Sequence, residues 1–124
     1  VRASSDKRHS NYNRNPKEKP MYGTIYRMQP RQGQEHAVLE LLQHWERERQ
    51  PKVTGYIGGY VLQSASSPGD VLGIVVFDSQ ANYTNNGNDP EQDQWYQHLR
   101  ALLKNDPEWN DGEITKVMGE PRGL

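Results

Sequence analysis

The chain has 124 residues, no cysteine and a formal net charge of −1. That length suits one domain, and the missing cysteine excludes a disulfide framework, a thiolate nucleophile and zinc–cysteine ligation. No apolar run approaches the roughly 20 residues that span a bilayer, and residues 1–20 hold no apolar signal segment, so a cytoplasmic protein with no membrane partner is expected.

Residues 1–20 read as a basic, polar N-terminal arm. Through Lys19 there are six basic and two acidic residues, which leaves nine basic and fourteen acidic in the remainder. The near-neutral total therefore hides a basic arm on an acidic domain. Such an arm can bind nucleic acid or an anionic surface; a solvated tail, or an arm lying on the acidic body of a neighbouring subunit, is the preferred reading.

From residue 21 the chain is patterned. "MYGTIYRMQP" alternates, with Tyr22, Thr24, Tyr26 and Met28 on one side, which predicts a strand ended by Pro30. In "QGQEHAVLELLQHWERERQ", Ala37, Val38, Leu41, Leu42 and Trp45 recur at helical spacing, and Pro51 stops the helix. "TGYIGGYVLQSA" predicts a second strand with Tyr56, Gly58, Tyr60 and Leu62 on one face. "SSPGD" places Pro68 and Gly69 at the centre of a type II turn. "VLGIVVFD" is apolar on both faces, as a buried central strand is.

"SQANYTNNGN" begins helical and breaks at Asn85-Asn86-Gly87. Asp89 then restarts the chain as an N-cap, with Pro90 at the first helical position and Gln92 completing a capping box. This helix is expected to run to about residue 105. Asp89, Glu91 and Asp93 lack the loop glycine and terminal glutamate of a calcium loop, and no two histidines have a metal-ligand spacing, so no metal is expected. "WNDGE" reads as a turn and "GEITKVMGE", residues 112–120, as the last strand, with 121–124 a short tail.

The order β-α-β-β-α-β over residues 21–120 is ferredoxin-like: an α+β domain with a four-stranded antiparallel sheet and the helices on one face. The other face carries apolar side chains. A second copy of the chain is the simplest cover, giving a homodimer whose sheets form an α/β barrel.

"VVFDSQANY" and "DPEQDQWYQHLRALLKNDPEWNDGEI" resemble the antibiotic biosynthesis monooxygenase superfamily of dimeric α/β-barrel proteins, over roughly residues 21–120. The resemblance implies a pocket between sheet and helices, and one of several activities or none. Against the haem-degrading branch, the asparagine position of the first strand falls on Tyr26, the tryptophan position falls near Asn86, and His98 matches the histidine only approximately, so haem degradation is disfavoured. The cofactor-free quinone-forming branch needs only to deprotonate, orient and desolvate a phenolic substrate. On that reading His98 or Tyr26 handles the proton, Trp95, Tyr83, Tyr60 and Asn86 hold a small aromatic ligand, and no cofactor is needed.

Each residue also has a plainer role. At 100° per residue, Trp95, Leu99, Leu102 and Leu103 form one stripe, with Tyr96 and His98 on its opposite borders. Trp95 is then a core residue, Tyr96 an amphipathic edge, and His98 a surface or hydrogen-bonded histidine. A non-catalytic, dimeric ligand-binding module of the same fold is the alternative to an enzyme.

Overall fold

Strand β1 (Tyr22–Met28) lies between β3 (Val71–Phe77) and β4 (Glu108–Glu113), and β2 (Tyr56–Gln63) pairs with the far side of β3. All three pairings are antiparallel, in the order β2-β3-β1-β4. With helices α1 (Glu35–Glu48), α2 (Gln80–Gly87) and α3 (Pro90–Ala101), this is the ferredoxin-like α+β fold. The computed structural model describes residues 19–119. Most of the expected basic arm and the 121–124 tail lie outside the described residues.

The alternation of β1 sorts its side chains as expected. Thr24, Tyr26 and Met28 are buried, whereas Ile25 between them is 54% exposed on the opposite face. Met28, Val38, Val71, Leu99 and Leu103 form the core with Tyr26, and Leu41, Leu42, Trp95 and Leu102 pack against it. Fully burying side chains of this size contributes about 1.5–3 kcal/mol each. The β2–β3 turn also forms as read: the Asp70 amide donates to the Ser67 carbonyl at 3.0 Å, and Gly69 takes the positive φ, 97°, that a type II turn requires.

Three details of element phase and bounds depart from the sequence-based expectation. First, the alternation of β2 slips between Tyr56 and Gly58. The extra residue of this β-bulge, Ile57, changes the phase of the strand. Tyr56 pairs with Phe77 and Gly59 with Val75, on the helix side, while Tyr60 and Leu62 pair with Ile74 and Leu72 on the far side. Tyr56 and Tyr60 therefore lie on opposite faces of the sheet.

Second, α3 ends at Ala101 rather than about 105. The chain beyond it pairs with the segment after β1: Arg31 donates its amide to the Leu102 carbonyl and Lys104 to the Gln29 carbonyl, both at 2.8 Å. Third, the last strand is Glu108–Glu113, not 112–120. The Asn-Asp-Gly run that reads as a turn is strand because β1 offers it an open edge. Asn110 donates its amide to the Thr24 hydroxyl at 3.2 Å and its side-chain amide to the Ile25 carbonyl at 3.3 Å.

The caps of α2 and α3 follow from local chemistry. Ser79 accepts from the Asn82 amide at 3.2 Å, and Asp89 from the Glu91 amide at 2.9 Å. The expected capping box is half formed, because the Gln92 side chain accepts from the Trp45 indole at 2.8 Å instead. Arg49, at the end of α1, also links to this junction. Its guanidinium donates to Glu91 at 3.0 Å and to Asp89 at 3.3 Å, with 10% of the side chain exposed.

Candidate functional site

Between the sheet and the helices lies a cleft of about 1070 Å³. β1 supplies Thr24 and Tyr26 to its floor, α1 supplies Leu42, Trp45 and Glu46, and α3 supplies Gln92, Trp95 and Tyr96. β2 and β3 add Tyr56, Val75 and Phe77; α2 adds Tyr83 and Asn86; β4 adds Trp109 and Asp111.

The aromatic rings form two connected runs. In the first, Trp95, Trp45, Tyr56, Phe77 and Tyr83 have successive centroid separations of 6.3, 5.0, 5.5 and 5.6 Å. In the second, Trp109 lies 5.9 Å from Tyr26 and 6.5 Å from Tyr96. Tilted and edge-on contacts at these spacings are favourable and hold the rings in place. The indole of Trp95 is fixed further by donating to the Leu41 carbonyl at 3.3 Å.

Tyr26 is 6% exposed and lies against Gly73, its partner on β3. A Cβ at residue 73 would fall 2.2 Å from the Tyr26 hydroxyl. Among the described residues that hydroxyl has no hydrogen-bond partner. Burial, with a smaller contribution from Tyr56, pushes its pKa up to about 12, so it stays protonated at neutral pH. The Tyr83 hydroxyl donates to Asp111 Oδ1 at 2.9 Å. Burial first, and then this bond to a carboxylate, raise Tyr83 well above the ordinary tyrosine value. Burial and the nearby Glu46 carboxylate raise Tyr56 in the same direction.

The structure brings five of the six sequence-selected residues to one place: Tyr26, Tyr83, Trp95, Asn86 and Tyr60 all border the cleft. Tyr60 does so from the far face of β2, at the sheet edge, and is 46% exposed. The sixth, His98, is exposed in the last turn of α3 and does not line the cleft. A histidine there complements the C-terminal end of the helix dipole.

Trp45, Tyr56 and Asp111 line the cleft without having been singled out. Trp45 is visible in the sequence only as a member of the α1 stripe, Asp111 lies in a run with turn chemistry, and the unmarked bulge makes Tyr56 and Tyr60 read as sharing one face, when only Tyr56 faces the helices. Among the described residues no group of three His, Cys, Asp or Glu side chains is placed to hold a metal ion, and no helix is long and apolar enough to cross a membrane.

The fold is that of the antibiotic biosynthesis monooxygenase proteins. The chain matches SnoaB, a cofactor-independent oxygenase from Streptomyces nogalater, with a TM-score of 0.65 and 14% identity over 83% of this chain and 99% of that one. It matches a candidate antibiotic biosynthesis monooxygenase from Chloroflexus aurantiacus with a TM-score of 0.62 and 22% identity, over 82% and 97% of the two chains. A Nitrosomonas europaea protein of unknown function matches with a TM-score of 0.67 and 15% identity, over 84% and 98%. Likeness at these identities establishes the shared fold. No family profile matches the chain, and no curated protein matches it.

Proposed function

We propose that the chain is a cofactor-independent monooxygenase of the antibiotic biosynthesis type, acting on a small aromatic or quinone-like compound in the cleft. The observation that carries this reading is the Tyr26 hydroxyl, protonated, without a hydrogen-bond partner among the described residues and open to the floor of an aromatic cleft on a residue that is otherwise buried. A fold shared with a cofactor-independent oxygenase supports it.

In this scheme the substrate supplies the electrons. A ring methylene is deprotonated, the carbanion reduces O2, one oxygen atom enters the product carbonyl and the other leaves as water. Tyr26 donates a hydrogen bond to the oxygen on which the negative charge develops. The aromatic walls exclude water around it. With no histidine among the described residues of the cleft lining, Asp111, held by Tyr83, is the base that accepts the proton.

Oxygen uptake with anthrone-like compounds tests this. Tyr26→Phe should lower turnover about a hundredfold, as removal of one oxyanion donor does, and His98→Ala should leave it unchanged. Turnover of Tyr26→Phe equal to wild type would remove Tyr26 from the chemistry. Binding without oxygen uptake would favour the second reading, a non-catalytic ligand-binding module.

The same proposal includes a homodimer. Ile25, Tyr60 and Leu62 are 54%, 46% and 57% exposed on the sheet face away from the helices. A second copy packed there would remove that apolar surface from water.

A further inference from the structure

We propose that the cleft selects its ligand by charge, taking an aromatic compound that carries an ammonium group in preference to the matching carboxylate. The proposal rests on the reading of the cleft as an aromatic-binding site and narrows its substrate class.

Three carboxylates, Glu46, Asp93 and Asp111, line the cleft, and among the described residues its lining contains no lysine, arginine or histidine. None of the three is in an ion pair among the described residues. Asp111 accepts from the Tyr83 hydroxyl and Asp93 only from the Gln97 amide, so neither charge is neutralised. Glu46 acts electrostatically on Tyr56, whose ring is 5.0 Å from that of Trp45, with Trp95 a further 6.3 Å along. A carboxylate thus borders a corner built of three electron-rich rings. Cations are attracted to the faces of such rings by about 0.5–2 kcal/mol, and an unpaired carboxylate at the same corner adds to the attraction. An anionic ligand meets both terms with the opposite sign. Neutral aromatic compounds gain the ring contacts alone.

Three probes with one ring system separate these effects: 2-naphthylmethylammonium, 2-naphthylmethanol and 2-naphthoate. Binding to the full chain is followed by quenching of tryptophan fluorescence, with Glu46→Gln/Asp93→Asn as the comparison variant. The ammonium probe should bind about tenfold or more tightly than the carboxylate, with the alcohol between them. The preference should shrink severalfold in the variant and at high salt, while the affinity of the alcohol stays constant. Equal affinity for all three probes, or a preference that survives unchanged in the variant, would overturn charge selection and leave the aromatic-binding reading standing. Failure of all three to bind would overturn that reading and charge selection with it.

Discussion

Tyr26 and Gly73 face one another across β1 and β3, and the ring of the first fills the space left by the missing side chain of the second. A Cβ at residue 73 would lie 2.2 Å from the tyrosine Cζ and hydroxyl oxygen, so the two positions are coupled. Gly73→Ala should destabilise the fold by about 1–3 kcal/mol through overpacking. In a Tyr26→Ala background the same change should cost much less, because the ring it collides with is gone. A denaturation double-mutant cycle measures the difference, and additive costs would mean that the ring moves aside freely.

The raised pKa of Tyr26 has a consequence for stability at high pH. In the unfolded chain the hydroxyl ionises near 10, and in the folded chain near 12. Between these values the unfolded state has lost the proton and the native state keeps it, so stability is complete below pH 10 and falls as pH rises through 12. The shift corresponds to about 2–3 kcal/mol. Unfolding of wild type and Tyr26→Phe across this window should show a steeper decline in wild type, and parallel curves would contradict it.

Arg49 ties the end of α1 to the first turn of α3 through Asp89 and Glu91. Arg49→Met keeps much of the apolar stem but removes both charge-assisted bonds, and should lower stability by about 1–3 kcal/mol. Arg49→Lys should not restore it, since one ammonium cannot reproduce a fork that spans two carboxylates. Chemical denaturation of the two variants checks this, and full stability in the lysine variant would show that charge alone suffices.

The Tyr83–Asp111 bond fastens α2 to β4 at 2.9 Å. Tyr83→Phe should cost about 0.5–1.5 kcal/mol, with Asp111 exposed and able to turn to water. Asp111→Ala added to Tyr83→Phe should cost little more, because the shared interaction is already lost. A thermal-denaturation cycle on the four proteins gives the coupling, which vanishes if the two residues act independently.

Ile25 lies at the centre of the apolar sheet face, opposite Ile74 on β3 and Asn110 on β4. In the proposed dimer, Ile25→Glu would bury a charge without a partner and should shift the protein to monomer in size-exclusion chromatography with light scattering. A wild-type monomer would refute the dimer outright.

The order of elements is legible because several carry a clear signal: period two in β1, the helical stripe through Leu41 and Trp45 in α1, and Asp89-Pro90 as a start for α3. The β2 bulge is not, because an inserted residue changes the phase of a strand without changing its composition. β4 was misplaced because Asn-Asp-Gly has turn chemistry, and only an unpaired edge on β1 makes it a strand. The candidate site was half legible for the same reasons. Tyr26 and Trp95 sit on elements whose phase is legible and Tyr83 on a stretch that reads as helical without a phase, whereas Tyr56 and Asp111 sit on the two strands that are misread. His98 is a border position of its helix, and periodicity alone does not tell which border faces a cleft.

The inserted residue at Ile57 also divides labour along one strand. Ahead of it, Tyr56 belongs to the interior wall beneath the helices; past it, Tyr60 and Leu62 belong to the outer surface. Substitutions at 56 can therefore retune what the interior accepts without altering the exterior. Tyr60 and Leu62 are answerable to both, since they stand on the outer face and still border the opening. A change at either propagates in two directions, which makes them positions where ligand choice and assembly would have to vary together.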